Sequence, residues 1–248
     1  MSNIRPVSRK QGELLKRNAQ NNSSICAIDV SSYAEYPFCN LSPFAYSQEY
    51  EIPVPGMENQ KSHSVEGIWQ GLKVIDGEID TRMFRNKPHK RKGPVEGHKY
   101  GDELLGYQDA RELLFIPSYD FFLIHHAPQE AIQYILSKQR EGAKVHLYDV
   151  DSNFDIRNPA PLAHSALLAT YLNLIIFNQS LEPSNEHESR LVEIMGGNSP
   201  LAEKAATIES LLGNDGFMHA FTYWFLEHPR DADYFRVAEA VCNSSDLR

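Results

Sequence analysis

The stretch Ser62-His63-Ser64-Val65-Glu66-Gly67-Ile68-Trp69-Gln70-Gly71-Leu72-Lys73-Val74-Ile75 constrains this chain more than any other. Val65, Ile68, Trp69, Leu72 and Ile75 recur at i, i+3, i+4, i+7 and i+10, the spacing of one apolar helix face. Ser64 is a start signal, because its side-chain oxygen can accept a first-turn N–H. The spacing predicts a helix over 64–75 with that stripe against a core. Glu66, Gln70 and Lys73 form a narrow polar stripe at its edge. Gly67 and Gly71 lie one turn apart on a third strip, and each costs the helix about 1 kcal/mol relative to Ala. Another backbone, or a flat ligand, is therefore expected close against them. Glu66 in the first turn also meets the positive end of the helix dipole, which favours its ionised form.

At 248 residues the chain is long enough for one large domain or a domain with a helical extension. An apolar content of 42%, with 12 Phe and 12 Tyr, supports a sizeable core and argues against wholesale disorder. A formal net charge of −9 excludes a protein whose whole surface grips nucleic acid, though not a local basic patch. Cys26, Cys39 and Cys242 are far apart and form no C-x-x-C pair, so they read as free thiols in a reducing compartment. The basic N-terminus lacks the apolar core of a signal peptide, and no apolar run reaches the roughly 20 residues of a membrane span. The expectation is a soluble, cytoplasmic protein.

In chain order, residues 1–24 read as a solvated polar arm, with a short helix over Gln11–Ala19 as the alternative. Ile25–Val30 and Glu49–Val54 read as strands in a region punctuated by prolines. Asp76-Gly77 makes a turn, followed by a basic run of Arg82, Arg85, Lys87, Lys90, Arg91 and Lys92 that ends at Gly93. A run of this kind is ordinarily a solvated face. Glu103–Ile116 reads as a helix stopped by Pro117, and a second helix runs from Pro128 to about Glu141, closed by Gly142. Lys144–Val150 alternates like a strand and leads into Asp149-Val150-Asp151-Ser152-Asn153. Helices are then expected over Ala163–Gln179, Asn185–Met195, Pro200–Leu212, Gly216–Glu227 and Asp231–Cys242. The predicted fold is a mainly helical α+β protein. It has an arm (1–24), a domain with short strands (25–160) and a helical layer packed on that domain (161–248).

Several chemistries are absent from the sequence. There is no G-x-S-x-G, no G-x-G-x-x-G and no phosphate loop of the G-x-x-x-x-G-K-[ST] type. His125 and His126 are adjacent, so their side chains diverge, and no H-x-x-x-H or C-x-x-C pair suggests zinc. Neither a metal nor a cofactor is expected.

Ser64-Val65-Glu66-x-x-Trp69-Gln70-x-x-Lys73 resembles the signature helix of the NADAR family, which typically reads S-V-E-H-x-Y/W-Q-x-x-K. Upstream, Cys39-Asn40-Leu41-Ser42-Pro43-Phe44 resembles the family's Asn-containing loop. The resemblance covers roughly residues 35–155. Gly67 stands where the family usually has His. The family's later W-G-x-G-x-x-x-N-x-L-G-like segment has no counterpart; Asn158-Pro159-Ala160-Pro161 and helices take its place. The resemblance implies an N-glycosidase acting on an ADP-ribosyl or ribosyl-phosphate compound, with ADP-ribosylated nucleic acid among the candidate substrates. Glu66 is then the leading catalytic residue, since a carboxylate can stabilise an oxocarbenium ion and activate water. Asp151 is the candidate second carboxylate, with Asp149 close behind. Asn40, Trp69, Gln70 and Lys73 are the candidate pocket residues, in a single cleft beside 64–75, and Lys90, Arg91 and Lys92 lie near the phosphates.

Each has a plainer reading. Glu66 can serve the helix dipole, Trp69 the core, and the amides the framework. Two other functions stay open: a non-catalytic module that binds ADP-ribose or a nucleotide, and an interaction protein whose helical part docks a partner.

Overall fold

The structure, a computed structural model, describes residues 4–19, 22, 24–153, 155, 157–180, 185–212, 217 and 221. The chain divides into two compact units, Met1–Asn173 and Leu174–Arg248. The fold is α+β, with helix outweighing strand.

The first unit is built around a parallel three-stranded sheet whose centre is β8 (Lys144–Asp149). β1 (Arg5–Ser8) and β2 (Ile25–Asp29) flank it, in registers that set Val7 opposite Tyr148 and Ile28 opposite Leu147. Val145, Leu147 and Tyr148 are buried, as a central parallel strand covered on both faces requires. α1 (Arg9–Ala19) is the crossover between the two edge strands, and its Gly12 lies directly on Tyr148. A Cβ at Gly12 would come 2.2 Å from Tyr148 Cγ. Residues 5–19 are thus not the solvated arm predicted for 1–24. They supply an edge strand and a packed helix. Ile4 and Val7 are buried, and Asn173 exchanges two 2.9 Å hydrogen bonds with the Ile4 backbone.

The organising helix forms as α2 (Val65–Leu72), with Ser64 Oγ accepting the Gly67 N–H at 3.0 Å. Val65, Ile68 and Leu72 are buried as expected. The helix is shorter than its apolar period. Lys73–Val74 already forms β5, pairing with β6 (Gly97–Tyr100), which pairs with β7 (Glu103–Leu105). Ile75 remains buried, but through a bridge to Glu78. The strip holding Gly67 and Gly71 is filled by a 3-10 turn, Thr81–Phe84. A Cβ on Gly67 would lie 2.6 Å from the Met83 carbonyl oxygen, and one on Gly71 2.4 Å from the Phe84 ring.

Two other expectations are corrected. The strand predicted over Glu49–Val54 shrinks to β3 (Ile52–Pro53), paired with β4 (Lys61–Ser62). Glu103–Ile116 is not one helix that Pro117 ends. β7 is followed by α3 (Tyr107–Ala110), a π-helical turn (Arg111–Phe115) and α4 (Ile116–His125). The wide turn resets the hydrogen-bond register. It leaves Pro117 in the first turn of α4, where a missing N–H is harmless. α5 (Gln129–Arg140) runs from Pro128 to a Gly142 with φ +87°, close to the predicted bounds. α6 (His164–Ser180) follows β8 after a loop.

In the second unit, α7 (Asn185–Gly196) and α8 (Leu201–Leu211) bury Leu191, Ala205 and Ile208 with Phe217 and Phe221. Those two phenylalanines apart, the helices predicted over Gly216–Glu227 and Asp231–Cys242 lie outside the described residues. No described helix is long and apolar enough to cross a membrane.

The packing against Gly67 sets a test. Gly67→Ala should lose stability by roughly 1–3 kcal/mol, the usual cost of overpacking, although Ala is the better helix former. Urea denaturation would measure it. A variant as stable as the parent would mean that the Thr81–Phe84 turn yields at no cost.

Candidate active site

The N-terminus of α2 is fixed to the loop before it, and that loop to α4. The Glu66 N–H donates to the Pro43 carbonyl at 2.9 Å, and the Tyr119 hydroxyl on α4 donates to the Leu41 carbonyl at 2.6 Å. The loop bearing Asn40 is thereby tied to both helices. Glu66 is only 6% exposed. Gln70 Nε2 donates to Glu66 Oε1 at 2.7 Å, while Gln70 Oε1 accepts the Arg91 N–H at 3.0 Å. The amide is thus oriented from both ends.

Arg91 holds the basic loop in place. Its guanidinium donates to the carbonyls of Gln70 (3.0 Å), Lys73 (2.6 Å) and Glu78 (3.2 Å). The first two are α2 C-terminal carbonyls, the end of a helix that favours a cation. Of the three predicted phosphate ligands, Arg91 is therefore committed to the framework. Lys90 and Lys92 are exposed.

Burial pushes the Glu66 carboxyl above its ordinary value. The Gln70 hydrogen bond and the positive charges of Lys73, Lys90 and His164 pull against that rise. The first-turn dipole thus does not decide its state, as the sequence suggested; desolvation does. Burial likewise pushes the Lys73 ammonium down, against the attraction of Glu66 and with the repulsion of Lys90 and Arg91.

His164 was not a sequence candidate, and it is central here. Its Nδ1 lies 2.7 Å from Asp149 Oδ2 and its Nε2 2.8 Å from the Val30 carbonyl oxygen. Burial alone would raise the Asp149 carboxyl. The His164 hydrogen bond and charge, with the Val150 N–H and Arg9, bring it below the ordinary value. Asp149, at the end of β8, is therefore the carboxylate joined to the site. Asp151 is half-buried, and its side chain makes no hydrogen bond or ion pair to a described residue. No motif spacing marks His164. Only the return of the chain from β8 into α6 brings it to Asp149.

Trp69 is half-buried and begins an aromatic wall. Its ring lies tilted against His98 with centroids 4.0 Å apart and meets Tyr107 and Phe115 edge-on, both at 5.7 Å. The wall continues through Phe115 and Tyr119 to His164. His98 is 1% exposed, and neither ring nitrogen has a partner among the described residues. Burial, helped by Lys73, lowers its pKa to about 4, so the ring is neutral at neutral pH. Asn40 is half-buried, and its amide oxygen accepts from the Cys39 thiol at 3.8 Å. Arg111, in the π-helical turn, covers the Tyr107 ring at 4.3 Å and donates to the carbonyls of Asn158, Pro159 and Ala160. It thereby anchors the loop between Asp149 and His164. Among the described residues no group of three or more His, Cys, Asp or Glu could hold a metal ion.

These features define an α+β domain with a buried carboxyl, two nearby lysines and a His–Asp pair. Residues 8–168 match a family of unknown function, DUF6939, and the chain belongs to that family. The matched span includes every site residue from Asn40 to His164. No curated protein and no solved structure matches the chain.

The Asp149–His164 pair has a pH signature. The folded value of Asp149 lies below its unfolded one, so its stabilisation is full above the unfolded carboxylate range and is lost as pH falls through the folded value. Asp149→Ala should cost roughly 3–5 kcal/mol at neutral pH, as for one partner of a buried pair. That gap to the parent should narrow on acidification in thermal melts across pH. A gap that stays constant into acid would dismiss the pair as a source of stability.

Proposed function

We propose that this domain is an N-glycosidase that hydrolyses the bond between a ribosyl C1′ and a nitrogen leaving group in an ADP-ribosyl or ribosyl-phosphate compound. The observation that carries the reading is the buried Glu66 carboxyl, held by Gln70 beside Lys73 and Lys90. The motif Ser64-Val65-Glu66-x-x-Trp69-Gln70-x-x-Lys73, which resembles the NADAR signature, supports it. On this reading the domain is a NADAR-like fold acting in the cytoplasm on a small molecule or on ADP-ribosylated nucleic acid.

As the C1′–N bond breaks, positive charge develops at C1′. Ionised Glu66 stabilises that charge and takes a proton from the attacking water. Gln70 leaves one Glu66 oxygen oriented and the other available. His164 has both ring nitrogens turned to oxygens, so its role is to hold and orient Asp149. Lys90 faces the anionic part of the substrate, with Lys92 further out, and Lys73 stands beside Glu66 at the ribose. The half-buried Trp69 offers an aromatic face for a base or sugar. Asn40 serves as a further polar contact, and Asp149 replaces Asp151 as the second carboxylate.

The test is to incubate the protein with ADP-ribosylated nucleobase, nucleic acid and protein and to measure free ADP-ribose. Glu66→Gln should lower the rate by roughly 10²–10³, the usual effect of removing one electrostatic stabiliser, with substrate binding retained. Because the reacting form is the carboxylate, the acid limb of the parent's pH profile should lie above the ordinary carboxylate pKa. Stability should move the other way. A folded value above the unfolded one gives stability that is full below the unfolded pKa and lost as pH rises through the folded value. At neutral pH the Gln variant should therefore melt no lower than the parent. Normal turnover by Glu66→Gln would end this reading.

A further inference from the structure

Lys73 has a setting that neither framework nor simple charge requires. It caps the C-terminus of α2, on the polar stripe that carries Glu66 and Gln70. Its carbonyl is held by Arg91, which fixes the start of the side chain. Opposite it across β5–β6 stands His98, neutral and in tilted contact with Trp69, so one flank of the Lys73 stem is an aromatic surface. The amine itself makes no hydrogen bond or ion pair to a described residue, although it is half-buried and Glu66 is close enough to act on it. A half-buried amine with no hydrogen-bond partner among the described residues, beside Lys90 and Arg91 and a carboxyl able to carry a proton, is the environment of a nucleophilic lysine.

We propose that Lys73 captures the ring-opened aldehyde of a phosphorylated ribose as an imine, giving this site a covalent step beyond hydrolysis. The proposal rests on the reading of the Glu66 site as a ribosyl site. The neutral amine adds to C1, forming a C–N bond, and the carbonyl oxygen becomes the hydroxyl of a carbinolamine. Protonated Glu66 gives its proton to that hydroxyl, which leaves as water. The C=N bond forms, and the proton shed by nitrogen returns to the Glu66 carboxylate. The balance is amine plus aldehyde to imine plus water, with no oxidant or reductant, and water reverses it. Burial lowers the fraction of Lys73 that is charged at a given pH, against Glu66 and with Lys90 and Arg91, so the attacking form is available below the pH at which a surface lysine offers it. Lys90 supplies the charge nearest to the sugar phosphate.

The experiment is reductive trapping. The full chain is incubated at neutral pH with ribose 5-phosphate and sodium cyanoborohydride, which reduces the imine to a stable secondary amine. Intact mass and peptide mapping then locate the adduct. One adduct at Lys73, several-fold above any other lysine, is expected. Lys73→Arg, which keeps the charge but not the nucleophile, should abolish it, and Glu66→Gln should slow it by about 10², as for a lost general acid. Labelling spread over lysines in proportion to their exposure, or unchanged in Lys73→Arg, overturns the proposal. If Lys73→Arg does not fold, the peptide map of the parent decides alone. Release of ADP-ribose is measured in parallel. Hydrolysis without a Lys73 adduct overturns covalent capture and leaves the glycosidase reading standing. An adduct without hydrolysis supports capture and overturns that reading.

Discussion

One side-chain amide joins the parts of the site. Gln70 gives its NH₂ to Glu66 and its oxygen to the Arg91 backbone, so the carboxyl on α2 and the basic loop after it share a single hydrogen-bonded unit. Arg91 then closes the unit by donating back to the α2 carbonyls. With Gln70 and Glu66 both buried, an amide turned the other way would set its oxygen against a carboxylate and its NH₂ against an N–H. Each of those errors leaves a buried polar group unsatisfied, at about 1–3 kcal/mol apiece. The arrangement is therefore self-selecting. It places the two lysines near Glu66 without a direct ion pair between them.

The same helix shows how packing sets the geometry of chemistry. Gly67 admits the Met83 backbone and Gly71 the Phe84 ring of the Thr81–Phe84 turn so closely that no Cβ fits at either. The turn in turn positions Asp80, whose N–H bonds the Gly71 carbonyl, and leads into the basic loop. Helix propensity is given up at two positions to bring this turn against α2, and the chain beyond it carries Arg91 back to the helix end. In this way the glycines act on the site from a strip of the helix distinct from the one that carries Glu66 and Gln70.

What was legible in the sequence was local. The start of α2 at Ser64, its buried stripe, the close approach at both glycines, and the Pro128 and Gly142 limits of α5 all follow from short-range rules. What was not legible depends on contacts distant in the chain. β1 has few apolar residues and becomes a strand only because β8, some 140 positions later, offers it a ladder. Pro117 looks like a stop until the π-helical turn before it is seen. The choice between Asp149 and Asp151 turns on His164, which the loop anchored by Arg111 brings back to the end of β8. Composition cannot reveal such a pairing, because each residue alone is ordinary.

The charges around Glu66 are unequal in a way that bears on function. Arg91 spends its charge on helix-end carbonyls, and His164 is matched by Asp149. Lys73 and Lys90 are left facing a single carboxyl that burial already disfavours in its ionised form. Positive charge is therefore in excess on one side of the site, and an anion would lower the energy of both lysines. Glu66 would then respond to its occupant. A phosphate drawing on the lysines weakens their hold on the carboxylate and moves it further toward its protonated form. A cationic centre at C1′ does the opposite. On the glycosidase reading proposed above, such a site would suit a substrate with phosphate at one end and developing positive charge at the other.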